Sequence, residues 1–95
     1  MAWGYIREMP LTPEQYDELD KKITEDPEGL LLHTAAQTAG GMLIIDVWDS
    51  KEANDRFERE TLFPALQQHA GFAAEEAPDH NEFDVHKLRG RAARA

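Results

Sequence analysis

Two extended apolar runs placed about a Gly-Gly pair constrain this 95-residue chain more than any other feature. Leu30-Leu31-Leu32-His33-Thr34-Ala35-Ala36-Gln37 precedes Gly40-Gly41, and Met42-Leu43-Ile44-Ile45-Asp46-Val47-Trp48 follows it. Runs of this length bounded by glycine read as strands, and two of them around so short a turn read as a β-hairpin. A tip at Ala39-Gly40 and a four-residue loop over 38–41 give the same pairing. Gln37 then faces Met42, Ala35 faces Ile44, His33 faces Asp46 and Leu31 faces Trp48. Directly opposed side chains share a face of the sheet, with Cβ atoms roughly 5 Å apart. The other face receives Ala36 with Leu43, Thr34 with Ile45, and Leu32 with Val47, all uncharged.

The rest of the chain supplies the elements that such a hairpin needs. Residues 2–9 contain Trp3, Tyr5 and Ile6, interrupted only by Gly4 and followed by Pro10, which reads as a first strand. Thr12-Pro13-Glu14-Gln15 is a capping box with proline at the first helical position. Tyr16, Leu19 and Ile23 recur at helical spacing, so a helix is expected over 12–25, ended by Asp26-Pro27-Glu28-Gly29. Ser50 can cap a second helix from Lys51, with Ala53 and Phe57 facing inward. Pro64 removes a backbone donor, which predicts a kink or break near 61–63 and a short helix to about His69. Residues 70–81 read as a loop and 82–88 as a fourth strand. The order β-α-β-β-α-β is that of the split βαβ, or ferredoxin-like, α+β arrangement. Residues 1–90 make one domain, and the Arg-rich 91–95 a flexible basic tail. Two helices cover one face of a four-stranded antiparallel sheet. In so short a chain a second copy is the natural cover for the other, so a homodimer is expected.

Composition narrows the function classes. A hydrophobic content of 41% supports a core. A formal net charge of -9 argues against nucleic acid, which needs clustered Lys and Arg to displace counterions. The acidic residues concentrate where helices are expected, at Glu14, Asp17, Glu18 and Asp20 and again at Glu52, Asp55, Glu58 and Glu60, and read as solvated faces. No run approaches the roughly 20 apolar residues that span a bilayer, so no membrane association is expected. The start has neither the basic nor the apolar region of an export signal, which favours a cytoplasmic location. Without cysteine there can be no disulfide, thiolate metal site or Cys nucleophile.

Asp46 is the anomaly within its apolar strand. Burying a carboxylate without a partner costs several kcal/mol, so it needs a pairing group or water. His33, directly opposite, is that partner by register. A carboxylate on one ring nitrogen orients the imidazole and leaves the other nitrogen as acid, base or donor. The same pair also serves as a charge-assisted cross-strand contact with no chemistry. Trp48 reads as a core side chain or as a stacking wall of a cleft. Phe57, His69 and His86 are further candidates for ligand contact; the face that His86 takes is open, and His69 can instead interact with a helix dipole. The four histidines show no HxH or HxxxH spacing, so no metal is expected. No Gly-rich phosphate loop and no Ser nucleophile elbow occurs.

The stretch Asp46-Val47-Trp48-Asp49-Ser50-Lys51-Glu52-Ala53 is a strand ending in Trp, then an acidic residue, a Ser cap and a Glu-Ala helix start. With Gly29-Leu30-Leu31-Leu32-His33, it resembles the dimeric α+β-barrel superfamily, which includes the antibiotic biosynthesis monooxygenase-like proteins. The resemblance covers roughly residues 3–88 and implies a homodimer and one of three activities. Cofactor-free quinone-forming monooxygenases of this superfamily carry a Trp matching Trp48 and an Asn four residues before it, where this chain has Ile44. Heme-degrading members use a first-strand Asn, a Trp in the second helix and a helix-borne His. Here His69 could be that His, residues 1–10 contain no Asn, and Phe57 lies near the Trp position. Polyketide cyclases and isomerases of this fold need mainly an acid–base pair in an apolar pocket, which His33 and Asp46 fit best.

The expectation from the sequence is therefore a cofactor-independent enzyme of monooxygenase, cyclase or isomerase type. It would act on a small, apolar aromatic or polyketide-like molecule, with His33 as acid/base, Asp46 as its orienting carboxylate and Trp48 as a wall. A non-catalytic ligand-binding or structural dimer and a heme-binding protein are the alternatives.

Overall fold

The computed structural model describes residues 2–69 and 81–90, with the backbone alone at His69. The expectations for the His69 side chain, for Phe72, for the loop at 70–80 and for the 91–95 tail lie outside the described residues. Strand β1 (Trp3–Met9) leads to helix α1 (Pro13–Asp20), then to β2 (Leu30–Thr38) and β3 (Gly41–Trp48). Helix α2 (Lys51–Phe57) passes through a π-helical turn (Glu58–Leu62) into α3 (Phe63–His69), and β4 (Asn81–Asp84) closes the sheet. The four strands are antiparallel in the order β2-β3-β1-β4, the ferredoxin-like α+β arrangement.

Strand alternation sorts the side chains. Trp3, Tyr5, Arg7 and Met9 of β1, and Met42, Ile44, Asp46 and Trp48 of β3, are all buried on the helix-covered face. Leu11, Leu19, Leu62, Ala65 and Leu66 close over them to form the core. The opposite face carries Ile6 from β1, Leu43 and Ile45 from β3, and Leu32, Thr34 and Ala36 from β2, with Ile6 38% exposed. Gly4 lies on this face between β3 and β4. A Cβ there would meet the Asp46 carbonyl oxygen at 2.5 Å and the Phe83 ring at 2.7 Å, so no side chain fits.

The hairpin register is the expected one from Thr38 opposite Gly41 through His33 opposite Asp46 to Leu32 opposite Val47. It departs at its far end. A bulge between Leu30 and Leu32 puts Leu30, not Leu31, opposite Trp48. Two hydrogen bonds account for it: Leu30 N–H donates to the Pro27 carbonyl and Asp49 N–H to that of Gly29, which has φ 91°. The chain is thus bent into its turn before the ladder ends, leaving Leu31 as the extra residue, 39% exposed.

Helix α1 begins with the expected capping box. Gln15 N–H donates to Thr12 Oγ1, and Thr12 N–H to Gln15 Oε1. It ends at Asp20 rather than at residue 25. Lys22 and Ile23 turn back onto Leu19 and Asp20 with bonds one residue shorter than helical. Asp20 and the acidic residues beyond it sit where a helix dipole favours cations, which opposes another turn. Ser50 caps α2 by accepting from Ala53 N–H.

Pro64 has the expected consequence in an unexpected form. The chain widens into a π-turn in which Phe63 N–H donates to the Glu58 carbonyl, five residues back. The wider turn gives the proline ring room while the helical direction continues. Strand β4 is shorter than the expected 82–88. Pairing ends after Asp84, with a last bond from Val85 N–H to the Ala2 carbonyl, and His86 lies beyond the ladder.

Candidate functional site

Across the middle of the sheet, three consecutive strands contribute one row of side chains. His33 on β2 and Tyr5 on β1 are the two cross-strand neighbours of Asp46 on β3. The register therefore delivers two hydrogen-bonding groups to one buried carboxylate. Asp46 Oδ1 lies 2.6 Å from His33 Nδ1, and Asp46 Oδ2 accepts from the Tyr5 hydroxyl at 2.9 Å. Asp46 is 3% exposed, and the pairing supplies the partners that burial demands.

The row continues onto the helix above. Tyr16 of α1 places its hydroxyl 2.5 Å from His33 Nε2, with the two rings 8° from parallel and their centroids 6.0 Å apart. On the other side of Tyr5, the Arg7 guanidinium stands 4.7 Å above the phenol ring and donates to Glu58 at 2.9 Å, a buried ion pair that ties β1 to the π-turn. The hydrogen-bonded chain Tyr16–His33–Asp46–Tyr5 thus runs from the helix layer to the centre of the sheet.

The protonation preferences follow from these contacts. The hydrogen bond to Asp46 holds the His33 pKa above the ordinary histidine value, against the opposing effect of partial burial. Burial, then the Asp46 carboxylate, pushes the Tyr5 phenol far above its usual range. Burial, followed by the charges of Asp20, Asp46 and Asp17, pushes Tyr16 up to about 12. A carboxylate only accepts, so Nδ1 of His33 carries the proton facing Asp46. In neutral His33, Nε2 then accepts from Tyr16.

These groups border a cavity of about 200 Å³ between sheet and helices. Its walls are largely apolar: Met9, Leu19, Ile23, Leu30, Ile44 and Leu62 line it together with the rings of Trp48 and Phe57. Those two rings lie 5.4 Å apart, tilted by 37°. Asp20 and Asp26, both exposed, also border it. Trp48 is completely buried, and its indole N–H has no hydrogen-bond partner among the described residues.

Of the candidates read from the sequence, the structure brings His33, Asp46, Trp48 and Phe57 to one cavity. It does not bring His86 there. That residue is exposed and follows β4, the sheet edge opposite to β2. The reason is the early end of β4, which removes His86 from strand alternation. Among the described residues no group of three or more His, Asp or Glu side chains is placed to hold a metal ion. Tyr5, Tyr16 and the Arg7–Glu58 pair were not singled out from sequence. Strand parity with Trp3 and Met9 could have flagged Tyr5 and Arg7. Tyr16 reads as part of an apolar helical stripe, and nothing in its spacing reveals that its hydroxyl meets His33.

No protein-family model and no curated protein matches this chain. Solved structures do. A protein named as a putative antibiotic biosynthesis monooxygenase from Chloroflexus aurantiacus J-10-fl superposes with a TM-score of 0.68 at 24% identity, covering 95% of this chain and 98% of that one. Rv0793 from Mycobacterium tuberculosis gives 0.57 at 18% identity, covering 94% and 98%. A conserved protein from Methanosarcina mazei Go1 gives 0.53 at 14% identity, covering 87% and 91%. At these identities the likeness is one of fold, extending over nearly the whole chain, and it agrees with the resemblance read from the Asp46–Ala53 stretch.

Proposed function

We propose that this protein is a cofactor-independent enzyme that moves a proton on a small aromatic or polyketide-like molecule held between sheet and helices. One observation carries the reading: an oriented imidazole–carboxylate pair opens onto a largely apolar, ring-lined cavity. His33 is the acid/base, Asp46 fixes its tautomer and stabilises the imidazolium, and Trp48 and Phe57 form the walls against which a ring lies. Removing a proton from a carbon next to a carbonyl leaves an enolate. Reprotonation at another carbon makes the reaction an isomerisation, and attack on a second carbonyl of the same molecule a cyclisation. Reaction with dioxygen makes it an oxygenation, the activity in the name of the Chloroflexus protein. A cavity of about 200 Å³ suits one or two rings, below the roughly 300–1,000 Å³ of pockets for drug-sized ligands. That volume, and Phe57 near the position where a helix Trp would be expected, do not fit a heme macrocycle.

The functional unit in this reading is a homodimer in the cytoplasm. The apolar residues Ile6, Leu32, Leu43 and Ile45 on the bare face of the sheet support it, since a second copy would remove them from water.

Exchange of the benzylic α-protons of 2-tetralone in deuterated buffer, followed by proton NMR, tests the reading. The protein is expected to accelerate exchange over buffer, and His33→Gln to abolish the acceleration. Equal rates with and without His33 would show that the pair has a purely structural role.

A further inference from the structure

Both ring nitrogens of His33 are already engaged, Nδ1 by Asp46 at 2.6 Å and Nε2 by the Tyr16 hydroxyl at 2.5 Å. An imidazole held this way has no free nitrogen to present to a ligand. Tyr16, by contrast, borders the cavity with its hydroxyl at the end of the chain, and its oxygen retains lone-pair capacity beyond the one bond to His33. We propose that Tyr16 Oη is the atom that exchanges a proton with the substrate, and that His33 stands behind it as a relay. This deepens the proton-transfer reading above and rests on it.

The step balances without any added reagent. The substrate C–H proton moves to Tyr16 Oη while the phenol's own proton moves to His33 Nε2. The C–H electron pair stays on the substrate as the enolate, and the imidazolium forms against the Asp46 carboxylate. Tyr16 is a neutral phenol before and after. The return step runs the same path backwards: Nε2–H protonates the phenol oxygen as the phenol O–H protonates the product. Burial, and then Asp20, Asp46 and Asp17, disfavour a phenolate at Tyr16, whereas Asp46 favours a proton on His33. Both preferences direct the proton through Tyr16 to the imidazole, without a standing charge on the phenol. The near-parallel rings, one from α1 and one from β2, keep the hydroxyl at Nε2, so the position of α1 sets the reach of the relay.

The α-proton exchange of 2-tetralone distinguishes the possibilities. General acid–base groups contribute about 100-fold or more, so Tyr16→Phe and His33→Gln are each expected to slow exchange by at least that factor. Placing 3-fluorotyrosine, a more acidic phenol, at position 16 is expected to move the alkaline limb of the pH–rate profile, where the phenol proton is lost, to lower pH while keeping the ring and the packing. A side chain with only a packing role would not move that profile. If Tyr16→Phe exchanges as fast as the unaltered protein while His33→Gln is slow, His33 meets the substrate directly and the relay is wrong, although the proton-transfer reading stands. If Tyr16→Phe fails to fold, the fluorinated protein decides, and an unmoved pH profile overturns the relay. If the unaltered protein is no faster than buffer, or His33→Gln is equally fast, the reading and the relay fall together.

Discussion

His33 and Asp46 sit directly opposite each other on β2 and β3, and their side chains meet at 2.6 Å, Nδ1 to Oδ1. The remaining carboxylate oxygen goes to Tyr5 from the other flanking strand. One acidic side chain thereby joins three strands through side chains as well as through backbone, and it does so at the wall of the cavity. Replacing Asp46 by Asn keeps the size but removes the charge that favours the imidazolium. The NMR titration of His33 in Asp46→Asn is expected to move down, towards or below the ordinary histidine value. Asp46→Ala additionally removes the hydrogen bond from the buried Tyr5 hydroxyl to Oδ2. A hydrogen bond to a charged group contributes about 1.5–3 kcal/mol, to be read by urea denaturation.

The raised His33 pKa makes stability depend on pH with a definite sign. The folded state holds this proton more tightly than the unfolded chain. The stabilisation is therefore fully present below the unfolded histidine value of about 6.5 and is lost as pH rises through the higher folded value. Thermal melts at a series of pH values from 6 to 9 are expected to show a fall in Tm across that window. In His33→Gln this fall should disappear. A protein whose Tm rises in the same window would contradict the His33–Asp46 contact.

The Arg7–Glu58 pair is a further charged contact of the interior, with side chains 2% and 10% exposed. It spans the sheet and the π-turn, so each charge is compensated in part by the other. Breaking a buried pair by removing one partner costs about 3–5 kcal/mol. Glu58→Gln and Arg7→Met are each expected to lower the urea midpoint strongly. The double variant Arg7→Met/Glu58→Leu should recover much of the loss. Additive losses in the double variant would show that the two charges act independently.

The bare sheet face supplies a prediction about assembly. If a second copy covers it, sedimentation should give twice the 10.8 kDa mass of the chain at micromolar concentration. Ile45→Glu places a charge among Ile6, Thr34 and Leu43 and should yield a monomer with lowered stability. A monomeric unaltered protein would leave this apolar face exposed and would remove the proposed dimer.

Much of the architecture is legible because its signals are local. The capping box at Thr12–Gln15, the Ser50 cap, the glycine turn at 40–41 and strand alternation each depend on residues a few positions apart. The pairing of His33 with Asp46 is likewise a consequence of counting outwards from one turn, although the residues are 13 positions apart. Counting fails where something interrupts the period. The bulge at Leu31 shifts its end of β2 by one residue, and it arises from hydrogen bonds made by the turn at Pro27–Leu30 and by Asp49. Pro64 is visible as a disturbance of helix, but the choice of a π-turn over a break reflects how the following helix packs on the core.

The sequence alone therefore determined the order of elements, the two faces of the central hairpin and the identity of its carboxylate–imidazole pair, since period and turn length dictate these. Only the tertiary structure decided what surrounds that pair. Tyr16 reaches His33, 17 residues away, because α1 packs over the sheet, and Arg7 reaches Glu58, 51 residues away, because the π-turn after α2 meets the same face. It also decided that His86 falls off the sheet at the opposite edge. Such contacts depend on how packed layers settle against one another, which reflects the sum of core volumes rather than the spacing of any one motif. For that reason the carboxylate–imidazole pair could be read from the chain, whereas the phenol that meets it could not.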